Sequence, residues 1–168
     1  AAGEHYVMAE LLRRGLIAAK APEGVPNMDI VVTDIDGGSL SAIQVKTRRG
    51  SLSNYGWAMG KKHEDIFSDQ TFYVMVRLPD DNVAPEFFVI PSSVVAHAVK
   101  HSHQIWLRQP GARGQPHRDT MMRTLKPHYR NLVWNGLTNE EKSFLDSHDE
   151  GWRPIDQCIL HSIGLYLS

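Results

Sequence analysis

The apolar positions along the chain follow two kinds of spacing. Near the start they recur with a period close to 3.6, as in an amphipathic helix, and Gly15 follows as a stop signal. Runs rich in β-branched and other apolar residues then predict strands over 16–22, 28–35, 40–48, 71–78 and 86–90. The run 71–78 is apolar almost throughout, which is typical of a central strand buried on both faces.

Other segments carry helical or loop patterns. Residues 57–67 predict a short helix, and Pro91-Ser92-Ser93 predicts the start of a longer one. A Gly/Pro-rich loop covers 109–117, and helical pieces follow, one of them opened by a capping box of Thr138 and Glu141. The resulting order, α-β-β-β-α-β-β-α with a helical tail, predicts an α/β fold in which helices flank a central mixed sheet.

The size and composition favour one domain over residues 1–168, since 42% of the 168 residues are hydrophobic and supply a core. The chain contains no apolar run of about 18 residues and no basic start followed by an apolar stretch. We therefore expect a soluble, cytoplasmic protein without a membrane partner. The single cysteine, Cys158, fits a reducing compartment and reads as a buried small hydrophobe.

Charge is segregated along the chain although the net charge is only -1. Five basic residues and no acid lie between positions 44 and 62, and seven Lys or Arg accompany one acid between positions 97 and 131. Acids dominate the segment 139–156. A basic surface of this kind suits a polyanionic ligand, although ordinary solvated faces produce the same pattern.

Three polar side chains are expected to converge beside the hairpin that turns at Asp36-Gly37-Gly38. Asp29 and Lys46 lie at the end away from the turn, and alternation places Gln44 on the same face as Lys46. An acid inside an apolar run indicates a functional role, since burying a charge is otherwise unfavourable. Carboxylate and amide oxygens suit Mg²⁺, and a neighbouring ammonium suits phosphodiester hydrolysis.

This arrangement resembles the PD-(D/E)xK nuclease superfamily, which has the restriction-endonuclease-like fold. The motif reads Asn27-Met28-Asp29 and then Gln44-Val45-Lys46, a Gln-x-Lys variant, and Glu4 occupies the place of the acid that the family commonly carries on its first helix. The resemblance covers residues 1–90 as a nuclease-like core, and residues 91–168 would form a mostly helical extension packed on it.

The resemblance implies a divalent-metal-dependent endonuclease that acts on nucleic acid, with DNA favoured over RNA. Lys46, Asp29, Gln44 and Glu4 would be catalytic, with Mg²⁺ or Mn²⁺ held by Asp29, Gln44, the Val45 carbonyl and Glu4. Backbone phosphates would be contacted by Arg48, Arg49, Lys61 and Lys62.

The glutamine is a departure from the usual Glu-x-Lys pattern, and the lost negative charge predicts a looser metal site. Two alternatives therefore stay open: a catalytically inactive module of the same fold that binds nucleic acid or protein, and a toxin or defence nuclease that cleaves tRNA. A homodimer that cuts both strands is also open.

Several other residues are expected to have structural roles. His97, His101 and His103 have neither a cysteine nor a suitably placed acid beside them, so we do not expect a zinc site. His63 and Glu64 lie where a second helix would edge the site, although a solvated helix face is the favoured interpretation, and Trp57 is expected in the core.

Overall fold

The computed structural model describes residues 2–50, 56–79, 83–126 and Ile155. Two helices, seven strands and one 3-10 turn lie in these ranges. In chain order they are α1 (Ala2–Arg13), β1 (Ile17–Lys20), β2 (Ile30–Thr33), β3 (Leu40–Arg49), β4 (Trp57–Gly60), the 3-10 helix (Lys61–Glu64), β5 (Thr71–Leu78), β6 (Glu86–Pro91), α2 (Ser92–Arg108) and β7 (Met122–Leu125).

Five strands form the main sheet, in the order β1-β2-β3-β5-β6. The pairs β1–β2, β2–β3 and β5–β6 are antiparallel, whereas β3 and β5 run parallel. The chain between β3 and β5 contains β4 and the 3-10 helix. β5 is buried from Phe72 to Val76 and lies between β3 and β6, so the prediction of a core strand there is confirmed.

The sheet separates two hydrophobic clusters. On one face, Val7 and Leu11 of α1 pack with β-branched residues of β2, β3 and β5. On the other face, α2 packs through Val95, Ala98 and Val99 against β5, β6, Trp57 and Leu125. Because successive strand residues point to opposite faces, β3 places Ile43 and Val45 toward α1 and Gln44 and Lys46 toward the α2 side.

The 57–67 segment differs from the predicted helix. Trp57 and Met59 are buried and Ala58 is exposed, a period of two that fits a strand, and only Lys61–Glu64 makes a single helical turn. Trp57 is 2% exposed and packs edge-on against Phe88, which confirms its place in the core.

The segment after the 109–117 loop also differs from the helical extension that the sequence predicts. Met122–Leu125 forms β7, which pairs antiparallel with β4 in a separate two-stranded sheet. Arg123 and Leu125 are buried while Met122 and Thr124 are exposed, so this strand too has a period of two. The predicted helix at Thr138 lies outside the described residues, and the single-domain assignment over 1–168 stays a prediction.

The predicted fold class, a mixed central sheet flanked by helices, is confirmed. The predicted stop at Gly15 agrees with the end of α1 at Arg13, and Gly15 has a φ of 80°, which glycine adopts readily. Among the described residues, no helix has the length and apolar character needed to cross a membrane.

Candidate active site

Asp29 lies just before β2, where the backbone is held from both sides. Its N–H donates to the carbonyl of Ile43 at 2.8 Å, and its own carbonyl accepts from the N–H of Ala21 at 2.8 Å. Asn27, two residues earlier, has a φ of 62°, a left-handed turn conformation that asparagine tolerates better than most residues. The turn and these two hydrogen bonds fix Asp29 between β1 and β3.

The Asp29 carboxylate joins β2 to β3 beyond the point where their backbone pairing ends. Its Oδ2 accepts hydrogen bonds from the Gln44 amide Nε2 and from the Val45 N–H, the second at 2.7 Å. Ile30 stands opposite Ile43 in the strand register, so Asp29 stands opposite Gln44. The structure therefore brings Asp29, Gln44 and Val45 into direct contact.

The Val45 carbonyl faces the same free edge of β3. In an extended strand the N–H and C=O of one residue leave the chain on the same side. The N–H of Val45 points to Asp29, so its carbonyl also points away from β5, toward the space beyond the start of β2. The Asp29 carboxylate, the Gln44 amide and this carbonyl thus lie together where the pairing of β2 with β3 ends.

Lys46 lies two residues beyond Gln44 and is partly buried. Burial lowers the pKa of its ammonium, and the charge of Lys62 lowers it further, while the Asp29 carboxylate raises it. Lys46 therefore lies within electrostatic reach of both Asp29 and Lys62.

Glu4, in the first turn of α1, forms an ion pair with Lys20 at 3.2 Å. Lys20 stands opposite Ile30 in the β1–β2 register, one residue from Asp29. Glu4 therefore lies at the same end of the sheet as Asp29, and its predicted role in metal binding stays a prediction.

Two buried aromatic side chains complete the neighbourhood of Lys46. Tyr73 stands opposite Gln44 in the β3–β5 register, and its hydroxyl lies 2.6 Å from Nδ1 of His63. Burial, together with the charges of Lys46 and Lys62, lowers the pKa of His63 to about 4, so the imidazole is neutral near pH 7. Burial also raises the pKa of the Tyr73 hydroxyl.

Sequence reasoning favoured a solvated helix face for His63 and Glu64, whereas both side chains are buried, and it missed Tyr73 altogether. The available signal was the tyrosine inside the apolar run 71–78, because a buried tyrosine hydroxyl usually needs a hydrogen-bond partner. Glu64, the neighbour of His63, faces away from the site and forms a buried ion pair with Arg123.

The four basic residues expected at phosphates lie in different surroundings. Arg48 donates to the carbonyl of Gly56 at 2.8 Å, and Lys61 forms an ion pair with Asp119 at 3.6 Å. Arg49 is exposed near the end of β3, and Lys62 is exposed on the 3-10 helix, within electrostatic reach of Lys46. Arg49 has the same parity in β3 as Ile43 and Val45, so Lys62 is the better placed of the four to meet a ligand beside Lys46.

The histidines of α2 lie away from this site. His97 and His101 are exposed, with ring centroids 6.2 Å apart, and His97 also packs against Phe67. In the part of the chain that the structure describes, no group of three or more His, Cys, Asp or Glu side chains is arranged to hold a metal. A cation bound at Asp29 would therefore also need the Gln44 amide and the Val45 backbone carbonyl as ligands.

The fold and the site together define an α/β protein with an aspartate, a glutamine and a lysine at the free edge of a central strand. Neither a protein-family model nor a curated protein matches the sequence. Among solved structures, the chain is similar to the 1.6 Å structure of Archaeoglobus fulgidus Hjc, a Holliday junction resolvase from an archaeal hyperthermophile. The two are 15% identical, the match covers 56% of this chain and 76% of that chain, and the TM-score is 0.34.

Proposed function

We propose that the protein is a divalent-metal-dependent nuclease that hydrolyses phosphodiester bonds, in DNA rather than RNA. The observation that carries this proposal is the contact of Asp29 with Gln44 and Val45 at an unpaired strand edge, with the Lys46 ammonium within electrostatic reach of the carboxylate. The preference for DNA rests on the resemblance of the Asp29…Gln44-x-Lys46 pattern to nuclease motifs.

The residues present fit a magnesium ion. Mg²⁺ is usually held by one or two carboxylates with waters and substrate phosphates, so Asp29, the Gln44 amide oxygen and the Val45 carbonyl are a sufficient set. Gln44 directs its amide nitrogen to Asp29, and a half-turn of the amide would exchange it for the oxygen. When bound, such an ion lowers the pKa of a coordinated water and neutralises phosphate charge.

The role of Lys46 follows from its burial. An ammonium that has already lost part of its hydration interacts more strongly with the negative charge that grows on phosphoryl oxygens. Burial disfavours the charged form of this lysine, and the Asp29 carboxylate favours it. The neutral His63 next to Lys46 adds no competing positive charge.

The experiment is a titration of Mg²⁺ and Mn²⁺ into the wild type and Asp29→Ala by calorimetry, with plasmid DNA and tRNA tested for cleavage in parallel at low salt. We expect metal binding by the wild type, its loss in Asp29→Ala, and cleavage of the plasmid. Cleavage of tRNA alone would replace DNA by RNA as the substrate. A wild type that binds neither metal at about 10 mM would contradict the metal-dependent mechanism.

A second candidate, a catalytically inactive nucleic-acid-binding module, is favoured by one observation. Gln44 stands where a second acid would strengthen the metal site, and it is engaged by Asp29 instead. Such a module would bind DNA with a steep salt dependence, because phosphate contacts release counterions, and it would show no turnover with either metal.

A further inference from the structure

Three exposed arginines lie on the loop that follows α2. Arg108 ends the helix, Arg113 lies in the middle of the loop, and Arg118 lies at its far end. The segment 108–118 contains no acid. It belongs to the basic stretch 97–131, whose charge the candidate active site leaves unexplained.

The loop has a defined conformation. Pro110 and Pro116 form an antiparallel bridge that brings its two ends together. Inside the bridge, the N–H of Gly111 donates to the carbonyl of Gln115 at 2.8 Å, and the N–H of Gly114 donates to the carbonyl of Gly111 at 2.8 Å. Gly114 has a φ of 76°, which glycine adopts readily. The segment 110–116 is therefore a closed turn with its middle residues at the tip.

The returning end of the loop packs on α2. The imidazole of His117 stacks on the indole of Trp106, with ring centroids 3.9 Å apart. This stack holds the chain next to Arg118 against the last turns of the helix, so the loop is held at its far end as well as by its own hydrogen bonds.

The chain that leaves the loop joins the 3-10 helix beside the candidate active site. Asp119, the first residue after the loop, forms an ion pair with Lys61 at 3.6 Å, and the N–H of Lys61 donates to the carbonyl of Met121 at 2.9 Å. The next residue of the 3-10 helix, Lys62, is exposed and lies within electrostatic reach of Lys46. A polyanion that reaches Lys46 and Lys62 can therefore continue onto the loop.

The charge of the loop is not compensated by a neighbouring acid. Asp119 is already bonded to His103 at 2.9 Å and paired with two other cations. Within the described part of the chain, no carboxylate pairs with Arg108, Arg113 or Arg118. An exposed guanidinium presents several N–H donors in a planar fork that matches the oxygens of a phosphate.

We propose that the loop 108–118 binds the phosphate backbone of a nucleic acid through Arg108, Arg113 and Arg118, as a second contact surface next to the candidate active site. The proposal rests on the proposed function only in taking nucleic acid as the ligand, and it requires no cleavage. Because each phosphate contact releases counterions, this surface contributes to the salt dependence of binding.

The test measures binding of a labelled DNA duplex of about 20 base pairs by fluorescence anisotropy, with the full chain in EDTA at a series of salt concentrations. We expect Arg113→Gln/Arg118→Gln to lower the slope of log K against log salt by about 2, since each phosphate contact contributes about 0.9. Affinity at low salt should fall at least about tenfold. Arg108→Gln alone should lower the slope by about 1, which keeps the test decisive if the double variant fails to fold.

The matched control is Arg13→Gln/Arg14→Gln, which removes the same charge from α1, on the other face of the main sheet, where both arginines pair with Glu10. This variant should keep the wild-type slope. Equal slopes in the two double variants would assign the effect to net charge and overturn the proposal.

Other outcomes separate this proposal from the proposed function. Plasmid cleavage by a protein whose slope ignores the loop arginines would refute the loop contact alone, and a lowered slope without any cleavage would refute the nuclease alone. No binding of the duplex by the wild type at about 10 μM would overturn the loop contact, as would binding to vesicles of anionic lipid without binding to DNA.

Discussion

His63 is the side chain near the candidate site whose protonation has the clearest consequence for stability. Its pKa is about 4 in the folded protein, because of burial first and then the charges of Lys46 and Lys62. An unfolded histidine titrates near about 6.5. Between these two values the unfolded chain binds a proton that the folded chain does not, so stability falls as the pH drops, by on the order of 2–3 kcal/mol in all.

We therefore expect His63→Gln to flatten the dependence of stability on pH. Denaturant unfolding of the wild type at pH 7.5 and pH 4.5 should give a large loss of unfolding free energy at the lower pH, and the variant should show a smaller one. His101→Gln, at an exposed position of α2, is the control and should retain the wild-type difference. Equal losses in the wild type and His63→Gln would contradict the assignment.

At the scale of single elements, α1 approaches β3 so closely at Gly3 that a side chain does not fit. A Cβ at this position would lie 1.9 Å from Oγ1 of Thr47. Gly3 has no positive φ, so an alanine there would be excluded by the neighbour and not by its own backbone.

Gly3→Ala should lower the unfolding free energy by about 1–3 kcal/mol, because the contact must open or the threonine must shift. Removing the obstructing hydroxyl in Gly3→Ala/Thr47→Ala should recover part of the loss. Gly60→Ala is the matched control, since its nearest neighbour would be Lys62 Cγ at 3.9 Å. Equal effects of the two glycine substitutions, measured by denaturant unfolding, would show that the close approach is not limiting.

The ion pair of Glu64 and Arg123 links the 3-10 helix to β7, and both side chains are buried. Arg123→Met would leave Glu64 as an uncompensated buried charge, and we expect a loss of about 3–5 kcal/mol in thermal or denaturant unfolding. Replacing both partners, as in Glu64→Leu/Arg123→Met, should restore most of that stability. A double variant as unstable as the single one would argue that the pair is not the cause.

Elements whose pattern is local were predictable from the sequence. The strands β2, β3 and β5 and the helix α2 follow from β-branched runs, turn residues and a proline start. The pairing of β4 with β7 was not predictable, because Trp57 finds its partner Leu125 far along the chain and four-residue strands carry little periodicity. Longer strands and helices can therefore be predicted from their periodicity, whereas four-residue strands cannot.

Some contacts of the candidate site were likewise predictable from the sequence, and others were not. The proximity of Asp29, Gln44 and Lys46 follows from the register of one hairpin, which alternation and the turn at 36–38 fix together. The contact of His63 with Tyr73 and the burial of Arg123 depend on how β4, β7 and α2 pack on the sheet. Such contacts arise from tertiary packing and leave no local pattern to read.

For the whole molecule, the two faces of the main sheet differ in the polarity of the side chains that they carry. The face toward α1 is packed by apolar side chains, while the α2 side carries Gln44, Lys46, Tyr73 and His63 around one polar neighbourhood. Of the basic residues between positions 44 and 62, Lys46 and Lys62 lie within electrostatic reach of this neighbourhood, although the net charge of the chain is only -1. A local excess of positive charge of this kind attracts a polyanion without a strongly basic protein.

The proposed role of Lys46, which acts on a phosphodiester next to a metal held by Asp29, can be measured by single-turnover cleavage of DNA by Lys46→Ala with saturating Mg²⁺. We predict that the rate falls about 100-fold or more while DNA affinity changes little, and that Lys100→Ala, a half-buried lysine of α2 paired with Asp65, cleaves like the wild type. Cleavage by Lys46→Ala at the wild-type rate would contradict the account.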